Sequence, residues 1–234
     1  MGKTLYRGKY QIIEWPIAPI REFEGVYIPL EQMSPSNKEL FEYHPDKAKQ
    51  LLADAGYPNG FKSSLMLAQA SVDTASVLVE MWAKIGVDVA LDVRETAALT
   101  TLTRAKKAFE QMTFVSCTAP AVPFKLYDTL WALGSESNYN YSRVNDPKIE
   151  AARDQFNLYY FDVPKRNQLF RDLLPYIYDQ VYVLQIPKPY SYVFWWPWLK
   201  EYNGELTFCY VTTHSYLYWV WIDQALREQM TGRK

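Results

Sequence analysis

Along residues 43–117 the spacing of apolar positions alternates between helical and strand periods. In "YHPDKAKQLLADAGYPNGFK", Ala48, Leu51, Leu52 and Ala55 fall at i, i+3, i+4 and i+7, one stripe of an amphipathic helix. Pro45 suits its first position and Asp46 its positive end. His44 stands at its mouth, where a cap or surface role suffices. Gly56 offers a left-handed stop, Pro58 forbids continuation, and Asn59-Gly60 marks a turn. "KSSLMLAQ" at 62–69 predicts a strand. Val72, Ala75, Val79, Trp82 and Ile85 then trace a second helix face. "VDVALDVR" at 87–94 alternates, with Val87, Val89, Leu91 and Val93 on one side and Asp88, Ala90 and Asp92 on the other. Residues 96–107 predict a third helix, and "QMTFVSC" at 111–117 a third strand.

This helix–strand alternation predicts an α/β domain whose sheet is at least partly parallel, with right-handed crossovers placing helices on its faces. Two longer helical patterns follow near 146–161 and 164–180, started by Asp146-Pro147 and Asp162-Val163-Pro164. "QVYVLQIP" at 180–187 reads as a strand. The tail from Pro187 is rich in Trp, Tyr and Pro, and "YWVWIDQALREQM" predicts a strand or turn running into a short helix. Residues 1–42, with Pro16, Pro19, Pro29 and Pro35, show little periodicity and read as extended connecting chain.

The 234 residues suffice for one large domain or two small ones. A net charge of −1 gives no basic bias toward nucleic acid or anionic membrane. Arg104, Lys106 and Lys107 read as a solvated helix face. Two cysteines, Cys117 and Cys209, are too few for a disulfide framework, and the spacing decides neither a bridge nor two thiols. No leader pattern is visible at the start, and no apolar run is long enough to span a bilayer. Aromatics are the outlier: they make up 16% of the chain and concentrate after residue 176. Their polar tips suit wet interfaces and ligand clefts as well as cores.

Candidate chemistry is sparse. A hydrolytic triad needs a histidine beside Ser or Cys, and only His44 and His214 exist, the latter without nucleophile-elbow glycines. The cysteines lack a nearby histidine for a metal site. No phosphate-cradling glycine loop occurs, and 26 acids offer too many pairs to single out two carboxylates. The expectation is binding without bond chemistry, and with no catalytic residue, metal or cofactor.

Five stretches, in order, carry a resemblance. "YHPDKAKQLLADAGYPNGFK", "LVEMWAKIGVDVALDV", "SNYNYSRVNDPKIEAARDQF" and "PKRNQLFRDLLPYIYDQVYVLQIP" are followed by "WWPWLKEYNGE" with "WIDQALRE". They resemble the family 5 extracellular solute-binding proteins, the peptide- and nickel-type receptors of ABC importers. His44 stands where the family usually has Asp; the match covers most of residues 40–228.

The resemblance implies a periplasmic-binding-protein type II-like C-terminal lobe, a mixed sheet flanked by helices. It divides the chain into a hinge or connector at 1–42, the lobe at 43–190, and an aromatic tail at 191–234 that returns to an N-terminal lobe absent here. It implies capture of a small solute, peptides included, between two lobes by hinge closure, and delivery to a membrane permease. The full-length protein would be periplasmic or on the cell surface. A homodimer or interaction module built on the exposed aromatic surface is the second option.

For the ligand side, the loop after the third predicted strand is the first candidate, because α/β sheets place ligands at strand ends. It contributes Cys117, Thr118, Ala119, Pro120 and Phe124. Tyr127, Trp131, Asn138, Tyr139 and Tyr141 follow as stacking and hydrogen-bonding candidates; the aromatics could equally serve packing. Trp195, Trp196 and Trp198 read as packing or as contact with the second lobe. Peptide-binding members carry an acid in this loop for the ligand's amino group. Ala119 to Phe124 hold none, and Asp128 comes too late to match, so amine recognition is not expected.

Overall fold

The computed structural model describes residues 2, 6–13, 15–19, 23–105, 111–115, 125–190, 192–204 and 218–233, excluding the side chains of residues 125, 127 and 128. Three parallel strands form the central sheet in the order β3-β2-β4: β2 Phe61–Ala68, β3 Val87–Arg94 and β4 Met112–Thr113. β2 is central, pairing Phe61 with Val87 through Ala68 with Arg94 on one side and Leu65 with Met112 on the other. Helix α3 (Val72–Ala83) makes the crossover from β2 to β3. Leu65, Leu67, Val87, Val89 and Ala75 form its buried core, with Val72, Val79, Trp82 and Ile85 packed against them. Strand alternation and the helix face predicted from sequence therefore meet each other. From β3 the chain enters α4 (Thr96–Thr100), which continues as a π turn over Thr101–Ala105. This is an open α/β sheet flanked by helices.

Helix α1 (Pro35–Glu39) precedes α2 (Pro45–Asp54), the amphipathic helix predicted after His44. Gly56 stops α2 at φ +90°. Its stripe is less buried than the pattern implied: Leu51 is 59% exposed, and only Leu52 of the leucine pair packs on the sheet core.

A second, larger core joins α5 (Lys125–Leu133), α6 (Pro147–Leu158) and α7 (Val163–Gln180). Leu126, Leu130 and Leu133 on α5, Ile149, Ala152 and Phe156 on α6, and Phe170, Leu174 and Ile177 on α7 recur at helical spacing and are buried. Ile13, Ile17, Phe23, Val26 and Met33 enter the same core despite their irregular backbone. Pro175 interrupts the α7 ladder, and its carbonyl accepts from Asn37 Nδ2 at 3.3 Å, docking α1.

The strand expected at 180–187 is a correction. Val181 turns left-handed at φ +48° and ends α7, and the residues that follow run as an irregular strap. The Tyr182 hydroxyl is drawn to Asp146, and its carbonyl accepts from Ser142 Oγ, so this backbone is bound to a loop rather than to a neighbouring strand. Pairing begins only at β5 (Lys188–Pro189), antiparallel to β1 (Tyr10–Gln11). β6 (Leu199–Lys200) and β7 (Trp221–Ile222) make a small antiparallel ribbon before α8 (Gln224–Thr231). Among the described residues, no helix is long and apolar enough to cross a membrane.

Candidate functional site

The loop between α5 and α6 is built by hydrogen bonds rather than by regular structure. At its start the Ser135 N–H donates to Glu150 Oε1 at 2.7 Å, and Glu150 pairs with Arg153 at 2.6 Å. That backbone donor, opposed by desolvation and assisted by Arg153, holds the Glu150 carboxyl below its ordinary range. In the middle, buried Asn140 binds three backbone groups. Its Nδ2 donates to Gly134 O at 3.1 Å and Val144 O at 2.7 Å, while its Oδ1 accepts from Val144 N at 2.8 Å. At the end, Asp146 caps α6 by accepting from Lys148 N at 2.7 Å. Asparagine, with two donors and an acceptor on a short stem, is the residue type that closes such a loop on itself.

This frame presents Tyr139 and Tyr141. Their rings meet edge-on at 6.4 Å, and Trp131 of α5 lies 5.2 Å from Tyr139. Arg104, from the π turn, comes to the same place. Its guanidinium carbon lies 4.2 Å from the centre of the Tyr139 ring. Its Nε donates to the Tyr141 hydroxyl oxygen at 2.6 Å and its Nη1 to that of Tyr139 at 3.2 Å. The expectation of a solvated face at Arg104 is corrected: the side chain is half-buried, stacked on the Tyr139 ring and hydrogen-bonded to both tyrosine hydroxyls. Lys106 and Lys107 lie outside the described residues.

Of the residues nominated from sequence, Trp131, Tyr139 and Tyr141 are thus brought together. Asn138 is exposed on the loop. Tyr127 has its backbone on α5, its side chain undescribed, and Cys117, Thr118, Ala119, Pro120 and Phe124 lie outside the described residues, as do Cys209 and His214. His44 is exposed beside Glu42, its Nε2 2.9 Å from the carboxylate, and makes no side-chain cap. In the tail, Trp196 and Trp198 stack at 4.7 Å, and Trp195 meets Tyr202 edge-on at 5.4 Å. Sequence reasoning missed Arg104 and Asn140. The signal for Asn140 was present, a short polar side chain inside a span bounded by Gly134 and Val144; nothing local marked Arg104.

Asp146 ties the loop's end to the strap. The hydroxyls of Tyr176 and Tyr182 both donate to its Oδ2 at 2.5 Å. Burial pushes this carboxyl up, but the two hydroxyls with the N–H groups of Lys148 and Ile149 outweigh it, and it lies below the usual aspartate value. A carboxyl depressed in the folded state stabilises fully above its unfolded pKa of about 3.9, and the contribution fades as pH falls through the folded value. Urea midpoints measured from pH 6 to pH 2 should therefore fall less steeply below about pH 4 in Asp146→Asn than in the parent chain. Parallel curves would remove Asp146 as a source of acid sensitivity.

Among the described residues no group of three or more His, Cys, Asp or Glu side chains is placed to hold a metal. Comparison with known proteins then supplies the relationship. A 54-residue stretch is 46% identical to heme-binding protein A of Haemophilus influenzae, covering 20% of this chain and 10% of that protein. The periplasmic binding protein DppA of Helicobacter pylori, solved with the peptide STSA, superposes at a TM-score of 0.60 with 27% identity over 81% of this chain. NikA of Staphylococcus aureus, solved with Ni(L-His)2, shares the fold at a TM-score of 0.64 with 17% identity over 86% of this chain. The chain spans 36% of the first structure and 41% of the second, well under two thirds of either. The sequence profile described as bacterial extracellular solute-binding proteins, family 5 Middle, matches residues 22–141. That is more than half of the chain, which therefore belongs to the family 5 bacterial extracellular solute-binding proteins.

Proposed function

We propose that this chain supplies one lobe of an ABC-importer receptor, capturing a small peptide-like solute against a second lobe and passing it to a membrane permease. The observation that carries the reading is the Arg104–Trp131–Tyr139–Tyr141 cluster, held on a hydrogen-bonded loop at the half-buried edge of the lobe. Similarity to a receptor solved with a tetrapeptide supports the peptide class. Family membership fits capture without bond chemistry and a periplasmic or extracellular location. In this reading residues 1–42 are the hinge, 43–190 the lobe, and 191–234 the returning tail. The ligand-lining set is Trp131, Asn138, Tyr139 and Tyr141 with Tyr127 and the preceding loop, Cys117, Thr118, Ala119, Pro120 and Phe124.

Thermal unfolding with di- to tetrapeptides, Ser-Thr-Ser-Ala included, tests it. A receptor that joins this lobe to its second lobe should gain about 2.7 kcal/mol at a hundredfold excess of ligand over Kd. The present chain should gain little, because half of the site's walls belong to the other lobe. Tight saturable binding by the chain alone would sink the half-site geometry, and no response to any peptide in the two-lobed receptor would sink the peptide class.

A second reading has its own observation. Phe194 is 90% exposed, Trp219 73% and Trp196 64%, more aromatic surface than scattered single residues present. A stand-alone interaction module would use it to dimerise, and light scattering decides: a strict monomer at high concentration counts against it.

A further inference from the structure

We infer that the strap at 181–187 is a latch, with Tyr182 as its bolt, that couples the position of the candidate ligand loop to the place where the chain leaves this lobe. The inference rests on the reading that this loop faces ligand, and it names the element through which the loop's position is passed on.

The strap owes its path to side chains. It leaves α7 at Val181, a β-branched residue held at φ +48° and ψ +43°. Such a side chain disfavours that conformation, which persists only where the surroundings impose it. Among the described residues no strand pairs with 181–187. Tyr182 is instead gripped at both ends: its carbonyl accepts from Ser142 Oγ, and its hydroxyl donates to Asp146 Oδ2 at 2.5 Å. Further along, Gln185 Oε1 accepts from the Trp15 N–H at 3.2 Å.

These ties lead to two different places. Ser142 and Asp146 belong to the loop that carries Tyr139 and Tyr141, and Ser142 follows Tyr141 directly. Trp15 belongs to a segment seated in the larger core by Ile13 and Ile17, and by Thr129 Oγ1, which donates to Pro16 O at 3.1 Å. Next to it β1 pairs with β5, and the Tyr190 N–H donates to Lys9 O at 3.2 Å. No described residue before Ile12 or after Tyr182 joins either hydrophobic core. The chain therefore leaves the lobe as two adjacent strands, and the strap joins their base to the ligand loop. A strap held by its own ladder would stay in place when the loop shifts. One held by side chains of the loop follows it, and carries Gln185 and its contact with Trp15 along.

Amide hydrogen exchange of the chain, followed by NMR, tests the latch. Ser142→Ala removes the loop's donor to the strap, and Tyr182→Phe removes the hydroxyl while keeping the ring in the core. The reporter is the Trp15 N–H, bound to Gln185 rather than to either changed residue. The Leu67 N–H, in the separate sheet core, reports loosening of the whole fold. In each variant Trp15 should exchange about fivefold faster relative to Leu67, the loss of one hydrogen bond. Equal acceleration at both amides, or none at Trp15, overturns the latch and leaves Tyr182 as packing. In a receptor that joins this lobe to its second lobe, each variant should bind Ser-Thr-Ser-Ala about fivefold more weakly. Binding at parent strength in both variants overturns the coupling to ligand, whatever the exchange rates. A parent receptor that binds no peptide overturns the peptide reading alone, and the exchange rates still decide the latch.

Discussion

Asn140→Ala should lower the stability of the chain by about 3 kcal/mol and erase the near-UV circular dichroism of the Trp131–Tyr139–Tyr141 cluster. Asn140 is 3% exposed and serves three backbone groups at 2.7 to 3.1 Å. Alanine would leave one N–H and two carbonyls without those partners in the interior. An unmet buried polar group costs about 1–3 kcal/mol, with carbonyls at the lower end because they have two lone pairs. The loop would relax to reach water, and Tyr139 and Tyr141 would leave Arg104. Asn138→Ala is the control: that side chain is exposed, and its removal should stay within about 0.5 kcal/mol. Equal urea midpoints for the two alanine variants would show that Asn140 does not organise the loop.

Gly60→Ala should cost at least about 3 kcal/mol, because two penalties combine there. Gly60 has φ +75°, where a side chain costs about 1–2 kcal/mol. A Cβ on it would also lie 1.8 Å from the carbonyl oxygen of Gly86 and 2.4 Å from its carbonyl carbon. Backbone cannot rotate away as a side-chain tip does. The β2–β3 register, which starts at Phe61 and Val87, would have to part. Two sibling substitutions separate the terms. Gly56→Ala has φ +90° and nothing within 4 Å, so it should cost only the conformational part. Gly86→Ala, with its nearest contact at 3.3 Å, should fall between. Urea unfolding of the three variants checks the order, and Gly60→Ala no worse than Gly56→Ala would rule out the close backbone approach.

These glycines show how far sequence carried the fold. Local pattern located the turn at Asn59-Gly60, the helix stop at Gly56, and both full-length strands, because each depends on residues adjacent along the chain. It could not show that Gly60 and Gly86, 26 positions apart, lie backbone to backbone. The 180–187 stretch failed for the converse reason. Its alternation suits a strand, but Ser142, Asp146 and Trp15, to which it hydrogen-bonds, lie in no window around it.

The candidate site divides the same way. Trp131, Tyr139 and Tyr141 were legible as aromatic residues with polar tips after a predicted strand and helix. Arg104 read as surface charge because it belongs to a short basic cluster with Lys106 and Lys107, and its aromatic partners, Tyr139 and Tyr141, lie 35 and 37 positions away. Asn138 and Asn140 are indistinguishable by type, and only burial tells the exposed side chain from the one that holds the loop.

By itself, then, the sequence determined the α/β class, most helix boundaries and the family to which the chain belongs, since capping, periodicity and motif order are properties of neighbouring residues. Tertiary structure alone decided which aromatic rings share a surface, which cation joins them, and which asparagine holds them there. The cation's place depends on contacts between segments 35 or more residues apart, and the grouping of the rings and the choice of asparagine on the hydrogen-bond demands of a loop backbone that belongs to no helix or strand.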